Sequence, residues 1–209
     1  MCTRAILAAK NRDVDRINDI ASAYFPGETK IYLSADSVLD DIQKNIYPTE
    51  ILNQIRDSSM PQHRLCLKIN QPIILLRNIA QSQGLCNGTR MIIRGMHRTF
   101  LDVEIALGKN KGKRFFIPRL GITPSDSDYP VSIKRVQFPI RSAFAMTINK
   151  SQGATLKKVG IYLNDPVFSH GQLYVAMSRV ASLSDITVAT NSIIEGITRN
   201  VVYKEIFTN

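Results

Sequence analysis

Two polar segments in the last third of the sequence carry side chains suited to phosphate chemistry. The first, Ala143 to Gly153 (AFAMTINKSQG), ends an apolar run with Thr147, Asn149, Lys150, Ser151, Gln152 and Gly153. An ammonium, a hydroxyl, an amide and a backbone open to close approach at glycine are groups that hold phosphate or stabilise charge developing on a phosphoryl group. The same residues also fit a helix C-terminus closed by Gly153, with Lys150 complementing the helix dipole. The second segment, Phe168 to Arg179 (FSHGQLYVAMSR), sets Gln172 and Arg179 seven positions apart. On a helix that spacing puts both on one face, with Leu173, Ala176, Met177 and Val180 turned to a core. An arginine there is either an exposed surface cation or a finger that reaches phosphates bound by a neighbouring domain.

A third basic stretch, Gly108 to Arg114 (GKNKGKR), joins two extended segments. Lys109, Lys111, Lys113 and Arg114 could meet phosphate there, or could be solvated loop cations. Its glycines resemble those of a nucleotide-binding loop only superficially. The spacing is wrong, Arg114 stands where a hydroxyl residue is required, and no helix follows. Cys2, Cys66 and Cys86 are far apart, as are His63, His97 and His170, so neither a disulfide framework nor a metal site is expected.

These groups need a scaffold. Ala5 to Ala9 reads as a strand, followed by a helix with apolar positions at Val14, Ile17 and Ile20 to Ala21, Asn11 as its N-cap and Asp13 and Asp15 in its first turn. Lys30 to Ser34 reads as the next strand, completing a βαβ rhythm and hence a parallel sheet. Between Asp36 and Pro61 the periodicity is poor. Short β-branched segments follow at Leu65 to Ile69, Ile73 to Arg77, Thr89 to Arg94, Phe100 to Leu107 and Arg114 to Pro118, predicting a small β-barrel with a type I′ turn at Asn87-Gly88. After Pro139 the pattern predicts a helix over Ala143–Lys150, a strand over Val159–Leu163, a helix over Gly171–Val180 and a last strand over Asp185–Ala189. The expectation is an α/β domain from residues 1–62 and 138–209, interrupted by a β-domain at 63–137.

Among the 209 residues, 27 Lys and Arg against 17 Asp and Glu leave a net charge of +10. Excess cations gain affinity for polyphosphates by displacing condensed counterions, which makes nucleic acid the leading partner class. A basic piece whose acidic complement lies elsewhere is the other reading of the same charge. No apolar run reaches the length of about 18 residues that a membrane span needs, and no signal-like segment opens the chain. The expected setting is therefore intracellular, with no membrane partner.

Taken in order, AFAMTINKSQG, a short strand and GQLYVAMSR resemble motifs five and six of superfamily-one DNA helicases of the Pif1/RecD type. The likeness extends upstream through Leu67-Lys68, Pro72 to Asn78 and Gly84 to Arg90, and back to Ala8-Ala9-Lys10-Asn11, covering nearly the whole chain. The wording is closest to eukaryotic copies, including those carried by Helitron transposons. That resemblance implies the second RecA-like domain of the motor with an inserted Src-homology-3-like barrel. It assigns Arg179 as the arginine finger, and Gln172, Tyr174, Lys150, Ser151, Gln152 and Gly153 to the nucleotide cleft and its coupling to DNA. Thr147, Asn149, Lys10 and Asn11 would lie along the DNA backbone, joined by Lys109 and Lys111 of the barrel. Asn149 departs from the family's more frequent histidine.

The sequence holds no Gly-x-x-x-x-Gly-Lys-Ser/Thr loop and no acidic strand end for magnesium, so ATP and Mg²⁺ are expected only in a complete helicase and not on this chain alone. The implied partners are single-stranded DNA and the missing N-terminal RecA-like domain, in cis or in trans. The family implies five-prime to three-prime translocation and work in repair, recombination, telomere maintenance or transposition, in the nucleus or the mitochondrion. A non-catalytic single-strand-binding module, or a truncated transposon relic, is the alternative.

Overall fold

A computed structural model describes residues 3–39, 46–57, 59–124, 132–191 and 197–203; Cys2 lies outside them. The chain runs from strand β1 (Arg4–Ala8) into helix α1 (Asn11–Tyr24), then through β2 (Lys30–Leu33), β3 (Ala35–Val38) and a short α2 (Thr49–Gln54). Next come β4 (Arg64–Leu67), β5 (Pro72–Leu75), β6 (Arg90–Met96), β7 (Phe100–Ile105), β8 (Arg114–Pro118), β9 (Leu120–Ile122), β10 (Ile133–Gln137) and β11 (Ile140–Ser142). The last elements are β12 (Ala145–Thr147), β13 (Lys158–Leu163), α3 (Gln172–Met177) and β14 (Ile186–Thr190).

The chain forms two compact units, one from residues 1–23 and 143–209, the other from residues 24–142. The first holds a four-stranded sheet in the order β12-β1-β13-β14, every pair parallel. Parallel strands are buried on both faces, and β1 shows why its sequence is a continuous apolar run. Ala5, Leu7 and Ala9 join the core beneath α3, with Val159, Ile161, Leu163 and Ala176. Ile6 and Ala8 face the other way, against Val14 and Ile17 of α1. The Val14 N–H donates to the Lys10 carbonyl (3.2 Å), so the helix begins one residue earlier than expected and Asn11 lies inside its first turn.

One predicted element changes identity and another changes its partner. Ala143–Lys150, expected as a helix, contains strand β12, in register with β1 from Ile6↔Ala145 to Ala8↔Thr147, and then a single 3₁₀ turn at Asn149–Ser151. Alanine and methionine are good helix formers, but propensity amounts to less than about 1 kcal/mol per residue and pairing with β1 outweighs it. Lys30–Leu33 is a strand, but it pairs antiparallel with β4 rather than extending the parallel sheet.

The second unit is built from antiparallel pairs: a five-stranded sheet β11-β5-β6-β7-β8, a three-stranded sheet β3-β10-β9 and the ribbon β2-β4. Ile73, Leu75, Met91, Ile93, Leu101, Val103 and Phe138 form its main core. Residues 24–62, expected with the α/β domain, belong to this unit. Tyr32 is part of its core, β3 pairs with β10, and Arg135 of β10 fixes the rest. The Arg135 guanidinium is buried, paired with Asp36 (Nη2–Oδ2 2.6 Å) and donating to the carbonyls of Leu52, Ile55 and Pro61. At Asn87-Gly88 only Gly88 has positive φ, and the Thr89 N–H donates to Cys86, which is the type II pattern rather than type I′.

Candidate nucleotide and DNA interface

The parallel order of the first unit brings the C-terminal ends of its strands to one edge, where open α/β sheets place their ligands. The turn after β1 carries Lys10 and Asn11. The turn after β12 carries Asn149 to Gly153, and the turn after β13 carries Asn164 and Asp165. Sequence separation is large across this edge, but strand pairing makes the three turns neighbours.

Arg179 is half-buried just beyond α3 and is held by oxygens. Its Nε donates to the Val175 carbonyl (2.8 Å), Nη1 to the carbonyls of Ser151 and Ala154 (3.3 Å each), and Nη2 to Ser178 Oγ (2.8 Å). A guanidinium has five donors. Four are placed by these bonds, leaving one Nη2 proton among the described residues for an incoming anion. The Arg179 carbonyl also accepts from Leu156 N–H (2.8 Å), so the arginine and the Ser151–Leu156 segment are joined in both directions.

Gln172 makes the second link. It is 3% exposed, its Oε1 accepts the Phe168 N–H (3.1 Å), and its Nε2 donates to Asn149 Oδ1 (3.4 Å). The expected common helix face is not the reason the two residues meet this turn. Helix α3 has six residues and ends at Met177, so Arg179 lies past its end. Gly171, with φ 71°, starts the helix in a conformation that a side chain would disfavour.

The turn itself is arranged backbone-inward. Ser151 is fully buried and its hydroxyl donates to the Ile148 carbonyl (2.6 Å), so its carbonyl rather than its hydroxyl serves the site by holding Arg179. Thr147 Oγ1 accepts from the Lys150 backbone N–H (3.4 Å). Lys150, Gln152 and Gly153 are exposed, and Gly153 has φ 78°. Tyr174 is 75% exposed and stands outside the network around Arg179.

At the neighbouring turn Lys10 Nζ lies 3.2 Å from Asp165 Oδ2, and Arg12 Nη2 donates to the same oxygen. The Lys10 and Arg12 contacts hold the Asp165 carboxyl below the ordinary carboxylate range. Neither Arg12 nor Asp165 stands out in the sequence, because each lies in an ordinary polar turn and the pairing spans more than half the chain. Asn11 is exposed at the start of α1. Lys109 and Lys111 are exposed and belong to the other unit, where their hairpin tip is shaped by positive φ at Gly108 and Gly112.

Residues 50–96 match the family model for the 2B domain of the DNA helicase Pif1, and residues 128–206 match a helicase model. The ATP-dependent DNA helicase PIF1 of Rattus norvegicus is 31% identical over 196 residues, which is 89% of this chain and 30% of the rat protein. The chain belongs to the Pif1 helicase family. The human PIF1 helicase is 28% identical over 199 residues, again 89% of this chain and 30% of the relative. The crystal structure of Pif1 helicase from Candida albicans superposes with a TM-score of 0.67 at 26% identity, covering 90% of this chain and 45% of that one. A Bacteroides Pif1 solved with single-stranded DNA shares the fold with the same TM-score, at 24% identity over 91% of this chain and 41% of that one. The chain thus spans less than half the length of these Pif1 relatives, and its fold is that of a RecA-like helicase.

Proposed function

We propose that this chain supplies the second RecA-like domain of a Pif1-type ATP-dependent DNA helicase, giving the motor its arginine finger and part of its grip on single-stranded DNA. The residue 1–23 and 143–209 unit is that domain, and the antiparallel unit is the inserted Src-homology-3-like barrel. One observation carries the reading. Arg179 is fixed by backbone carbonyls of the turn that follows β12, so a group suited to phosphate and a turn suited to DNA form one mechanical piece.

The residues present fit one edge of a nucleotide. Arg179 retains a donor for a terminal phosphoryl oxygen, and Lys150 is exposed on the adjoining turn. No acid occurs between Thr147 and Gly153 to hold Mg²⁺. The ion and most of ATP would be held by a first RecA-like domain, where bound magnesium neutralises phosphate charge. When a phosphoryl group engages Arg179, the carbonyls of Ser151 and Ala154 transmit its position to Asn149 and Thr147, and thence to DNA. Alternate tightening and release of that turn would produce stepping in the five-prime to three-prime direction.

Arg179→Ala in the complete helicase is expected to lower kcat for DNA-stimulated ATP hydrolysis by on the order of 10³-fold while leaving single-strand affinity within a few-fold. Steady-state ATPase assays alongside DNA titrations measure both. Undiminished hydrolysis would remove Arg179 from the finger role.

A further inference from the structure

We propose that Asp165 is an internal counter-ion of the DNA grip, occupying Lys10 and Arg12 when no strand is bound and giving way to a backbone phosphate when one is. The inference rests on the reading of Lys10 as part of that grip and adds Arg12 to it.

The geometry is convergent. Strands β1 and β13 are parallel neighbours, with Ala8 opposite Tyr162, so the turns that follow them lie side by side. Lys10 comes from one turn and Asp165 from the other, while Arg12 projects from the first turn of α1. Both cations address a single carboxylate oxygen, Oδ2. Two cations fixed around one anionic oxygen offer a phosphate oxygen the same coordination.

The triplet faces solvent: the side chains of Lys10, Arg12 and Asp165 are 40%, 64% and 31% exposed. A polyanion can reach it, whereas a buried triplet would be closed to exchange. An exposed ion pair is also weak and screened by salt, so its loss opposes DNA binding only slightly. One carboxylate leaves this corner with a surplus positive charge, and so does a singly charged phosphodiester. The exchange therefore keeps both cations paired and releases the exposed Asp165 carboxylate to water. A nucleic acid strand adds what a carboxylate cannot, the release of its condensed counterions. Asp165, held in its ionised form by Lys10 and Arg12, is ready to reclose the corner when the strand leaves. Asn164 borders the corner and is already engaged, accepting from Asn191 Nδ2 at 2.6 Å.

The test is fluorescence anisotropy of the purified full chain with labelled oligothymidylate across a salt series, paired with thermal melting. Asp165→Asn is expected to tighten low-salt binding roughly three- to tenfold and to steepen the salt dependence by up to about 0.7 of a unit of slope. Arg12→Ala and Lys10→Ala are each expected to weaken binding and flatten that slope by about 0.7. Combining Arg12→Ala with Asp165→Asn should cancel most of the gain. Asp165→Ser serves as a second neutral variant and should also bind more tightly. If both Asp165 variants bind as well as or more weakly than the parent, with or without a lower melting temperature, the counter-ion role is overturned while the grip stands. If Lys10→Ala and Arg12→Ala leave affinity and slope unchanged, the grip reading fails as well.

Discussion

Gln172 has both ends of its amide engaged at 3% exposure, accepting from Phe168 and donating to Asn149. Removing a buried hydrogen-bonding partner costs about 1–3 kcal/mol through the groups left behind. Gln172→Ala is therefore expected to destabilise the chain by about 2 kcal/mol in chemical denaturation, and Gln172→Glu at least as much, because it loses the donor to Asn149 and buries a carboxylate. No change in stability would mean that the amide is not the link between α3 and the Asn149 turn. Asp165 gives a pH test. Its carboxyl is lowered first by Lys10 and then by Arg12. A depressed carboxyl stabilises the folded chain fully above its ordinary value, and that contribution is lost as pH falls through the lower folded value. A side-chain NMR titration should place the Asp165 midpoint below the ordinary aspartate range, and Lys10→Ala should raise it; an unshifted midpoint would deny the pairing. The sequence singles out Arg179 and Gln172 as polar residues interrupting an apolar pattern, but their seven-residue offset predicts a shared helix face, whereas Arg179 lies past the end of α3. Asp165 was not legible, since only strand pairing brings residues 10 and 165 together.

At the scale of elements, Asn18 shows how a helix stabilises a sheet edge. It sits on the inner face of α1, 3% exposed, where its Nδ2 donates to the Ala145 carbonyl (3.2 Å) and its Oδ1 accepts the Ala145 N–H (2.8 Å). One side chain thereby satisfies both backbone groups of Ala145 in the outermost strand, β12. Sequence periodicity marks Asn18 as an inward position of an amphipathic helix, and a polar residue there signals a buried partner. It cannot say that the partner is a strand 127 residues away, and the error over Ala143–Lys150 has the same origin. Ala-Phe-Ala-Met has no alternation to mark a strand buried on both faces. Val159–Leu163 was legible because its β-branched residues and alternating burial agree. The boundary near residue 62 was misplaced for a comparable reason: Arg135 secures carbonyls between Leu52 and Pro61 from far along the chain. Asn18→Ala should leave both Ala145 groups unpaired and cost about 2–4 kcal/mol, measured by thermal or denaturant unfolding. Hydrogen exchange at Ala145 should accelerate in the same variant. Unchanged protection there would show that β12 is held by β1 alone.

For the whole molecule, the decisive quantities are a net charge of +10 and the absence of a nucleotide-binding loop from the sequence. The first favours phosphate-bearing partners by counterion release, a driving force that weakens steeply with salt and needs no ATP. On the proposed reading, the second leaves Arg179 as a finger without a nucleotide held on its own chain. The two properties should therefore separate when the chain is studied alone. Labelled single-stranded DNA titrated into the purified chain should bind at low ionic strength, lose affinity linearly on logarithmic salt axes, and show the same isotherm with and without ATP and Mg²⁺. Because each phosphate contact contributes about −0.7 to the slope for a single strand, the slope also counts the cations that make up the grip. Adding a first RecA-like domain in trans should make that binding sensitive to nucleotide, since closure on ATP would then pull on Arg179 and, through Ser151 and Ala154, on the DNA turn. An isotherm of the isolated chain that shifts with ATP would contradict this division of labour, because it would require a nucleotide site complete within these residues.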